Sequence, residues 1–348
     1  MILRIVIVDE NRDYISRMLN TLGEYENLTL SVFTEQAALE QALLYQKFDV
    51  LLFNPDIYDG HMDGEKKFVP VVLLDEERGI PAQFQDYRKI RKYQRISKIY
   101  QQILEVYAEV CGDTGAVTGQ AKTKVIAFYS PCGGAGKTTM ALCAAAKYAV
   151  QGYRCLYLSL EDVASESCFL PQTGDKGISE IAASLGENIN FTMKIQSLLQ
   201  TRQDNLFYLN HFGSPNDVYE LSVEEVKEMV QLFGNTGLFD VVVLDMMSVL
   251  DAKALAVFEL ADSIALIERG DEISNIKVGR FLEQAHIKNA YGKKMRRVLN
   301  FYRGKESQVK SDVPVIGRVN AMQNPVPAQF IAVTVQDGSS NCFLQLLG

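Results

Sequence analysis

The chain has 348 residues, of which 47% are hydrophobic and 22% charged, and its formal net charge is −8. This composition is typical of a globular protein with about two domains, and the negative charge argues against a protein that mainly coats nucleic acid. The six cysteines form no C-x-x-C pair, so we expect reduced thiols and a cytoplasmic location. No apolar run reaches the ~20 residues of a membrane-spanning helix, and the N-terminus is not typical of a signal peptide.

The first block of the chain alternates short apolar runs with helical patterns. Strands are predicted at 3–8, 28–32, 50–53 and 69–74, and helices at 15–22, 38–43 and 96–110. Near-continuous apolar strands separated by helices indicate a parallel sheet that is covered on both faces. We therefore predict an α/β domain at 1–110, followed by a Gly- and Thr-rich linker at 111–122.

The second block repeats this alternation over 123–348. Strands are predicted at 124–129, 154–160, 206–210, 240–245, 263–267, 297–302 and 314–316. Helices are predicted at 137–150, 177–185, 191–200, 222–233, 250–260, 274–288 and 325–333. The pattern predicts a second, larger α/β domain that is doubly wound.

The stretch YSPCGGAGKTTM (129–140) lies between a strand pattern and an Ala-rich helix pattern. This context predicts a phosphate-binding loop, because backbone N–H groups and a helix N-terminus converge on an anion there. Lys137 would reach the β- and γ-phosphates, and the hydroxyl of Thr138 would bind Mg²⁺. Pro131 stands where the strict motif has its first glycine. A tight glycine turn that binds nothing is the alternative interpretation.

The second block resembles the deviant-Walker ATPases of the MinD/ParA group, whose loop reads x-K-G-G-x-G-K-T-T. FDVVVLDMMS (239–248) is similar to the family's FDxxxxDxPP strand, and LYLSLED (156–162) is similar to its switch I strand. VLNFYRG (298–304) resembles the strand whose asparagine reads adenine. The resemblance implies a doubly wound P-loop NTPase fold and a site for ATP and Mg²⁺.

The resemblance also implies roles for individual residues. Lys137, Glu161 and Asp245 would be catalytic, and Thr138 and Asp245 would hold Mg²⁺. The nucleotide-binding residues would be those of the loop together with the adenine-reading asparagine: Cys132, Gly133, Gly134, Ala135, Gly136, Lys137, Thr138, Thr139 and Asn300.

Two departures from the family pattern bear on hydrolysis. Cys132 stands at the position of the signature lysine, which in the family reaches across the dimer to the partner's phosphates, and a neutral thiol does not supply that charge. Ser159 replaces one of the two acidic residues of switch I, which leaves Glu161. We therefore expect binding of Mg-ATP with slow hydrolysis. A solvated carboxylate is the alternative for Glu161, and a reactive thiol is a weaker one for Cys132.

Residues 1–110 resemble a response-regulator receiver with a flavodoxin-like fold. Asp9 and Glu10 match its acidic pair, but Asn54 stands at the phospho-accepting aspartate in FDVLLFNP (48–55). An amide is a poor nucleophile for phosphoryl transfer, so the resemblance implies a degenerate receiver that serves as an interaction module. Asp56 is a substitute acceptor or a turn residue.

The run YRKIRKYQRISK (87–98) is strongly basic. It is either a solvated helix face or a docking surface, and nothing in it is typical of base-specific nucleic-acid binding. The receiver's lysine after the last strand is either Lys89 or Lys92. The structure has to decide between these alternatives.

A degenerate receiver followed by a deviant-Walker ATPase resembles the TadZ/CpaE proteins, which help to localise and assemble the Tad (type IVb) pilus. The resemblance implies an ATP-binding homodimer that recruits other pilus components, without membrane insertion or a nucleic-acid partner. A ParA-type DNA-partitioning ATPase would need a cationic DNA surface. A MinD-like positioning ATPase would need a basic amphipathic C-terminal helix, and the terminal NCFLQLLG contains no Lys or Arg.

Overall fold

The computed structural model describes residues 3–23, 28–60, 68–75, 80–111, 122–172, 174–187, 189–322, 326–336 and 338–348. The chain forms two compact units. Unit 1 comprises Met1–Thr114 and Asn188–Leu198, and unit 2 comprises Gly115–Glu187 and Leu199–Gly348. Most of the predicted linker, residues 112–121, lies outside the described residues.

The strands of the two units are short and mostly apolar. Those of unit 1 are β1 (Leu3–Val8), β2 (Leu28–Phe33), β3 (Val50–Phe53), β4 (Val69–Leu74) and β5 (Arg88–Arg91). Those of unit 2 are β6 (Lys124–Tyr129), β7 (Cys155–Ser159), β8 (Gln200–Gln203), β9 (Leu206–Tyr208), β10 (Val241–Asp245), β11 (Ser263–Glu268), β12 (Met295–Tyr302) and β13 (Val315–Asn320).

Helices alternate with these strands along the chain. The first six are α1 (Arg12–Leu22), α2 (Gln36–Tyr45), α3 (Ile96–Cys111), α4 (Lys137–Val150), α5 (Ile178–Ala183) and α6 (Phe191–Leu198). The others are α7 (Pro215–Glu220), α8 (Val223–Asn235), α9 (Ala252–Leu260), α10 (Glu272–Glu283), α11 (Ala285–Tyr291) and α12 (Pro327–Gln336). None of the helices in the described ranges is long and apolar enough to span a membrane.

Unit 1 is built on a five-stranded sheet in the order β2-β1-β3-β4-β5, and its strand pairs are parallel. This is the strand order of flavodoxin-like folds. Side chains of β1 alternate between two cores, because successive residues of a strand point to opposite faces. Ile5 and Ile7 pack with residues of α1 and α3, and Val6 and Val8 pack with residues of α2. The predicted parallel sheet with two covered faces is confirmed.

Helix α6 completes unit 1, although it follows α5 of unit 2 in the sequence. Met193 belongs to the same apolar core as Ile103 and Leu104 of α3. Lys194 Nζ lies 3.6 Å from Glu105 Oε1 on α3. The apolar pattern predicted this helix correctly but assigned it to the second domain, because its partner α3 lies far away in the sequence.

The basic run at 87–98 is not one helix face. Arg88–Arg91 forms the edge strand β5, and α3 begins only at Ile96. Ile90 is buried in the core, whereas Lys89 and Arg91 are exposed. Because successive strand residues point to opposite faces, Ile90 packs on the core while its charged neighbours face outwards. These charges make the strand difficult to recognise in the sequence.

Unit 2 contains an eight-stranded sheet in the order β13-β12-β11-β6-β10-β7-β9-β8 among the described residues. Its strands are parallel except for β8, which pairs antiparallel with β9. Strand β8 was not predicted, because its residues, QTRQ, are polar and largely exposed. Helix α7 was not predicted either, and a single helix was predicted where α10 and α11 are separated at Gln284. Strand β6 lies between β10 and β11, so its carboxyl end is at the switch point where α/β sheets bind ligands.

Candidate functional site

The loop between β6 and α4 has the conformation of an anion-binding loop. Gly134 and Gly136 have positive φ angles of 66° and 82°, and Gly136 caps the N-terminus of α4. A Cβ atom at Gly136 would lie 2.4 Å from Asn300 Nδ2, whereas one at Gly133 or Gly134 would meet nothing within 4 Å. Glycine is therefore required at Gly136 for close packing, and the exposed backbone at Gly133 and Gly134 is open to a ligand.

Lys137 and Thr138 begin helix α4, and both contact the carboxylate of Glu161. Lys137 Nζ lies 3.3 Å from Glu161 Oε1, and the lysine is buried, with 8% of its side chain exposed. The hydroxyl of Thr138 donates a hydrogen bond to Glu161 Oε2 at 3.3 Å. Glu161 follows β7 and thereby brings a negative charge to the start of α4. Thr139, the next residue of α4, is half-buried.

Asp245 ends β10 and is fully buried. The Tyr157 hydroxyl donates to its Oδ2 at 2.9 Å, whereas its Oδ1 has no hydrogen-bond partner. Burial, and then the nearby charge of Glu161, raises the pKa of Asp245 to about 7, while a hydrogen bond from Thr138 acts in the opposite direction. The carboxylate is thus close to Thr138, and the positive charge of Lys137 also lowers its pKa.

These residues fit a magnesium ion. The unpaired oxygen of Asp245 and the hydroxyl of Thr138 are hard oxygen ligands, which Mg²⁺ prefers, and Mg²⁺ usually keeps several waters rather than using an all-protein cage. Within the described ranges no group of three His, Cys, Asp or Glu side chains could hold a metal. A site of one carboxylate and one hydroxyl therefore matches magnesium bound together with a phosphate ligand.

Asn300, in the last part of β12, is hydrogen-bonded to the loop. Its Nδ2 donates to the carbonyl oxygen of Ala135 at 2.9 Å, and its Oδ1 accepts from the backbone N–H of Phe301 at 2.8 Å. The side chain is buried, with 1% exposed. Because both ends of the amide are used within the chain, its observed role is support of the loop. The reading of adenine by Asn300 stays a prediction.

Cys132 faces the interior. Its side chain is 4% exposed, and its Sγ lies 3.7 Å from Ser274 Oγ in the first turn of α10. Its backbone N–H donates to Ser130 Oγ at 3.1 Å. The residue at the position of the family's signature lysine thus fixes the loop to α10 and does not extend outwards.

A buried acid near this site, Glu166, was not predicted from the sequence. Glu166 is 2% exposed, and its Oε1 lies 3.1 Å from Nδ1 of His211. Burial is the largest cause that raises its pKa, and the charge of Glu161 adds to the effect. No local pattern singled out Glu166, because His211 is distant in the sequence.

The receiver-like residues of unit 1 also converge. Asp9 and Lys92 are both buried, and Lys92 Nζ lies 2.5 Å from Asp9 Oδ2. Asn54 directly follows β3 and is buried, and its backbone N–H donates to the carbonyl oxygen of Val8, the residue before Asp9, at 2.8 Å. Its side-chain oxygen accepts the backbone N–H of Asp56 at 3.1 Å. Of the two candidate lysines, Lys92 is therefore the one that faces the acidic residue, whereas Lys89 is exposed.

Comparisons with known proteins identify the fold of unit 2. No protein-family model matches the chain, and no curated protein matches it. The ParA family ATPase from Chlorobium tepidum TLS matches with a TM-score of 0.54 and 14% identity, over 65% of this chain and 98% of that one. MinD from Pyrococcus horikoshii OT3, complexed with Mg-ADP, matches with a TM-score of 0.51 and 15% identity, over 65% and 94%.

A putative plasmid partition protein from Borrelia burgdorferi B31, bound to AMPPNP, matches with a TM-score of 0.50 and 16% identity, over 65% of this chain and 98% of that one. At such low identity these likenesses define a fold and not an activity. Unit 2 has the P-loop NTPase fold of the MinD/ParA proteins.

Proposed function

We propose that this protein is a dimeric ATP-binding protein of the MinD/ParA type that positions or assembles other components and hydrolyses ATP slowly. The observation that carries the proposal is the convergence of Lys137, Thr138 and Asp245, whose Oδ1 has no hydrogen-bond partner, beside an open glycine loop. A Mg-nucleotide suits this set, because a cation, a hydroxyl and a carboxylate are what a triphosphate and its magnesium require. The likeness to proteins bound to Mg-ADP or AMPPNP supports the same ligand class.

In the proposed site each residue has a defined task. Lys137 would neutralise the terminal phosphates after its ammonium group leaves Glu161. Thr138 and Asp245 would hold Mg²⁺, which when bound offsets the charge of the phosphate oxygens. Glu161 would then be free to orient a water molecule. The inward orientation of Cys132 leaves the loop without an outward cation at that position, which supports slow hydrolysis.

We further propose a cytoplasmic role of the TadZ/CpaE type, in which unit 1 recruits other components of a Tad pilus machinery. The support is the combination of a flavodoxin-like unit with a MinD/ParA-type unit in one chain. In unit 1 an amide stands at Asn54 and Lys92 is paired with Asp9, so a contact role is favoured over phosphoryl transfer. Neither DNA nor direct membrane insertion is part of this proposal.

Light scattering on a sizing column, with and without Mg-ATP, tests the proposal. We expect the dimer to form or tighten with Mg-ATP, and Lys137→Ala to abolish the effect. The variant Lys277→Ala, which changes another lysine of unit 2, serves as the control. Absence of ATP binding to the wild-type protein in calorimetry would refute the proposed function.

A DNA-partitioning ATPase is the second candidate, because the fold is shared with a plasmid partition protein. This function would require DNA binding that weakens steeply with salt. We expect no such binding at the formal net charge of −8. Electrophoretic mobility shifts at low and high salt distinguish the two candidates.

A further inference from the structure

A cavity of about 530 Å³ opens beside the phosphate loop and contains none of the three residues proposed to bind the phosphates and the metal. Its lining combines the loop with the segment that follows β11 and with the end of β12 and the residues after it: Gly134, Arg269, Gly270, Asp271, Glu272, Phe301, Arg303 and Lys305. The cavity therefore continues from the loop towards an aromatic side chain, three cationic side chains and two acidic ones.

Phe301 has an unfavourable backbone conformation. Its φ angle is 53°, in the left-handed region that a bulky residue rarely adopts. The side chain is 42% exposed, so burial of the ring compensates only in part for this strain. Strained residues of this kind are concentrated at functional sites.

Phe301 is in contact with Asn300 of β12 and with the phosphate loop. The amide of Asn300 accepts the N–H of Phe301 and donates to Ala135 in the loop. The ring lies against Gly136, where an added Cβ would be 3.6 Å from the ring atoms Cε2 and Cζ. The aromatic ring of Phe301 is thus packed directly against the phosphate loop.

Arg269 adds a second flat group. Its guanidinium carbon lies 5.9 Å from the centroid of the Phe301 ring. Arg269 Nε contacts Asp271 Oδ2 at 2.8 Å, and the Oδ1 of Asp271 accepts the backbone N–H of Ser274 at the start of α10. The guanidinium is therefore anchored over the ring of Phe301.

We propose that Phe301 and Arg269 form the stacking platform for the base of a nucleotide whose phosphates bind the glycine loop. The inference rests on the proposed function, which supplies the nucleotide. Aromatic rings and guanidinium planes stack on any base, because every base has a π-face. The amide of Asn300, in contrast, already has both ends bonded within the chain.

The test compares Mg-ATP with Mg-tripolyphosphate, which has the phosphates but no base, in titration calorimetry. Phe301→Gly removes the ring and also relieves the strain, because glycine adopts positive φ freely. We expect this variant to keep or raise the melting temperature and to bind Mg-ATP about tenfold more weakly, because the base loses the ring on which it stacks. Its affinity for Mg-tripolyphosphate should not change.

Two further variants complete the test. Phe301→Trp retains an aromatic surface and should bind Mg-ATP like the wild type. Tyr153→Gly removes an aromatic residue of similar exposure, 40%, elsewhere in unit 2 and is the matched control. An equal loss of affinity for both ligands in Phe301→Gly would indicate a role in supporting the loop and would overturn the platform. Unchanged Mg-ATP affinity would also overturn it. If neither ligand binds the wild-type protein, the proposed function itself fails.

Discussion

The ammonium group of Lys137 lies 3.3 Å from the carboxylate of Glu161, and this carboxylate also accepts a hydrogen bond from Thr138. Glu161 thus occupies the two groups that a phosphate and its magnesium would use. In the proposed site, binding of a Mg-nucleotide would displace Glu161 from Lys137. Because Glu161 follows β7, this displacement would couple the nucleotide to the segment after that strand.

Glu161→Gln should therefore raise the affinity for Mg-ADP by about fivefold, which corresponds to the ~1 kcal/mol of a partly exposed ion pair. Hydrolysis of ATP should become slower in the same variant. Calorimetry and a phosphate-release assay measure the two effects. Asp162→Asn, in the same segment, is the control. Weaker binding of Mg-ADP in Glu161→Gln would mean that Glu161 contributes to binding.

Lys92→Met should destabilise unit 1 by about 3–5 kcal/mol, because it leaves the fully buried carboxylate of Asp9 without its cation. Lys89→Met changes an exposed lysine of the same run and should have an effect below about 0.5 kcal/mol. Urea unfolding of both variants measures the difference. Equal stabilities would show that the pair of Lys92 and Asp9 contributes little.

Met193→Ala should destabilise unit 1 by about 2–5 kcal/mol, because it removes a buried side chain from the core shared with α3. Hydrogen exchange of the backbone amides of α3 is the measurement, and the exchange should become faster. Gln196→Ala, a half-buried position of the same helix, is the control. Faster exchange in unit 2 alone would contradict the assignment of α6 to unit 1.

The buried acid Glu166 predicts a pH dependence of stability. Its pKa is raised above the ordinary value of 4.5, chiefly by burial, so the folded protein retains a proton that the unfolded chain has already lost. The free energy of unfolding should therefore fall as the pH rises from the unfolded towards the folded pKa.

Glu166→Gln removes this contribution, so the variant should gain stability relative to the wild type as the pH rises over that range. Urea unfolding at about pH 4.5 and about pH 7 measures the change. Glu187→Gln, an exposed acid of unit 2, is the control. If the difference in stability between Glu166→Gln and the wild type did not depend on pH, the prediction would be wrong.

Local sequence patterns were sufficient to predict much of the secondary structure of this protein. The apolar run of β6, the glycines and the Ala-rich α4 lie next to one another in the chain, so the strand, loop and helix were predictable from the sequence. The position of Asp245 at the end of an apolar strand was predictable for the same reason. Strands with polar exposed faces, such as β5 and β8, were harder to predict because their charges obscure the alternation.

The sequence by itself determined the two α/β folds and the residues of the phosphate loop, because backbone propensity and apolar spacing are local properties. Only the tertiary structure decided what distant residues do. It turned Cys132 towards Ser274, engaged Asn300 with Ala135, and paired Lys92 rather than Lys89 with Asp9. Each of these contacts joins segments that are far apart in the chain, and their formation depends on how the strands are ordered within each sheet.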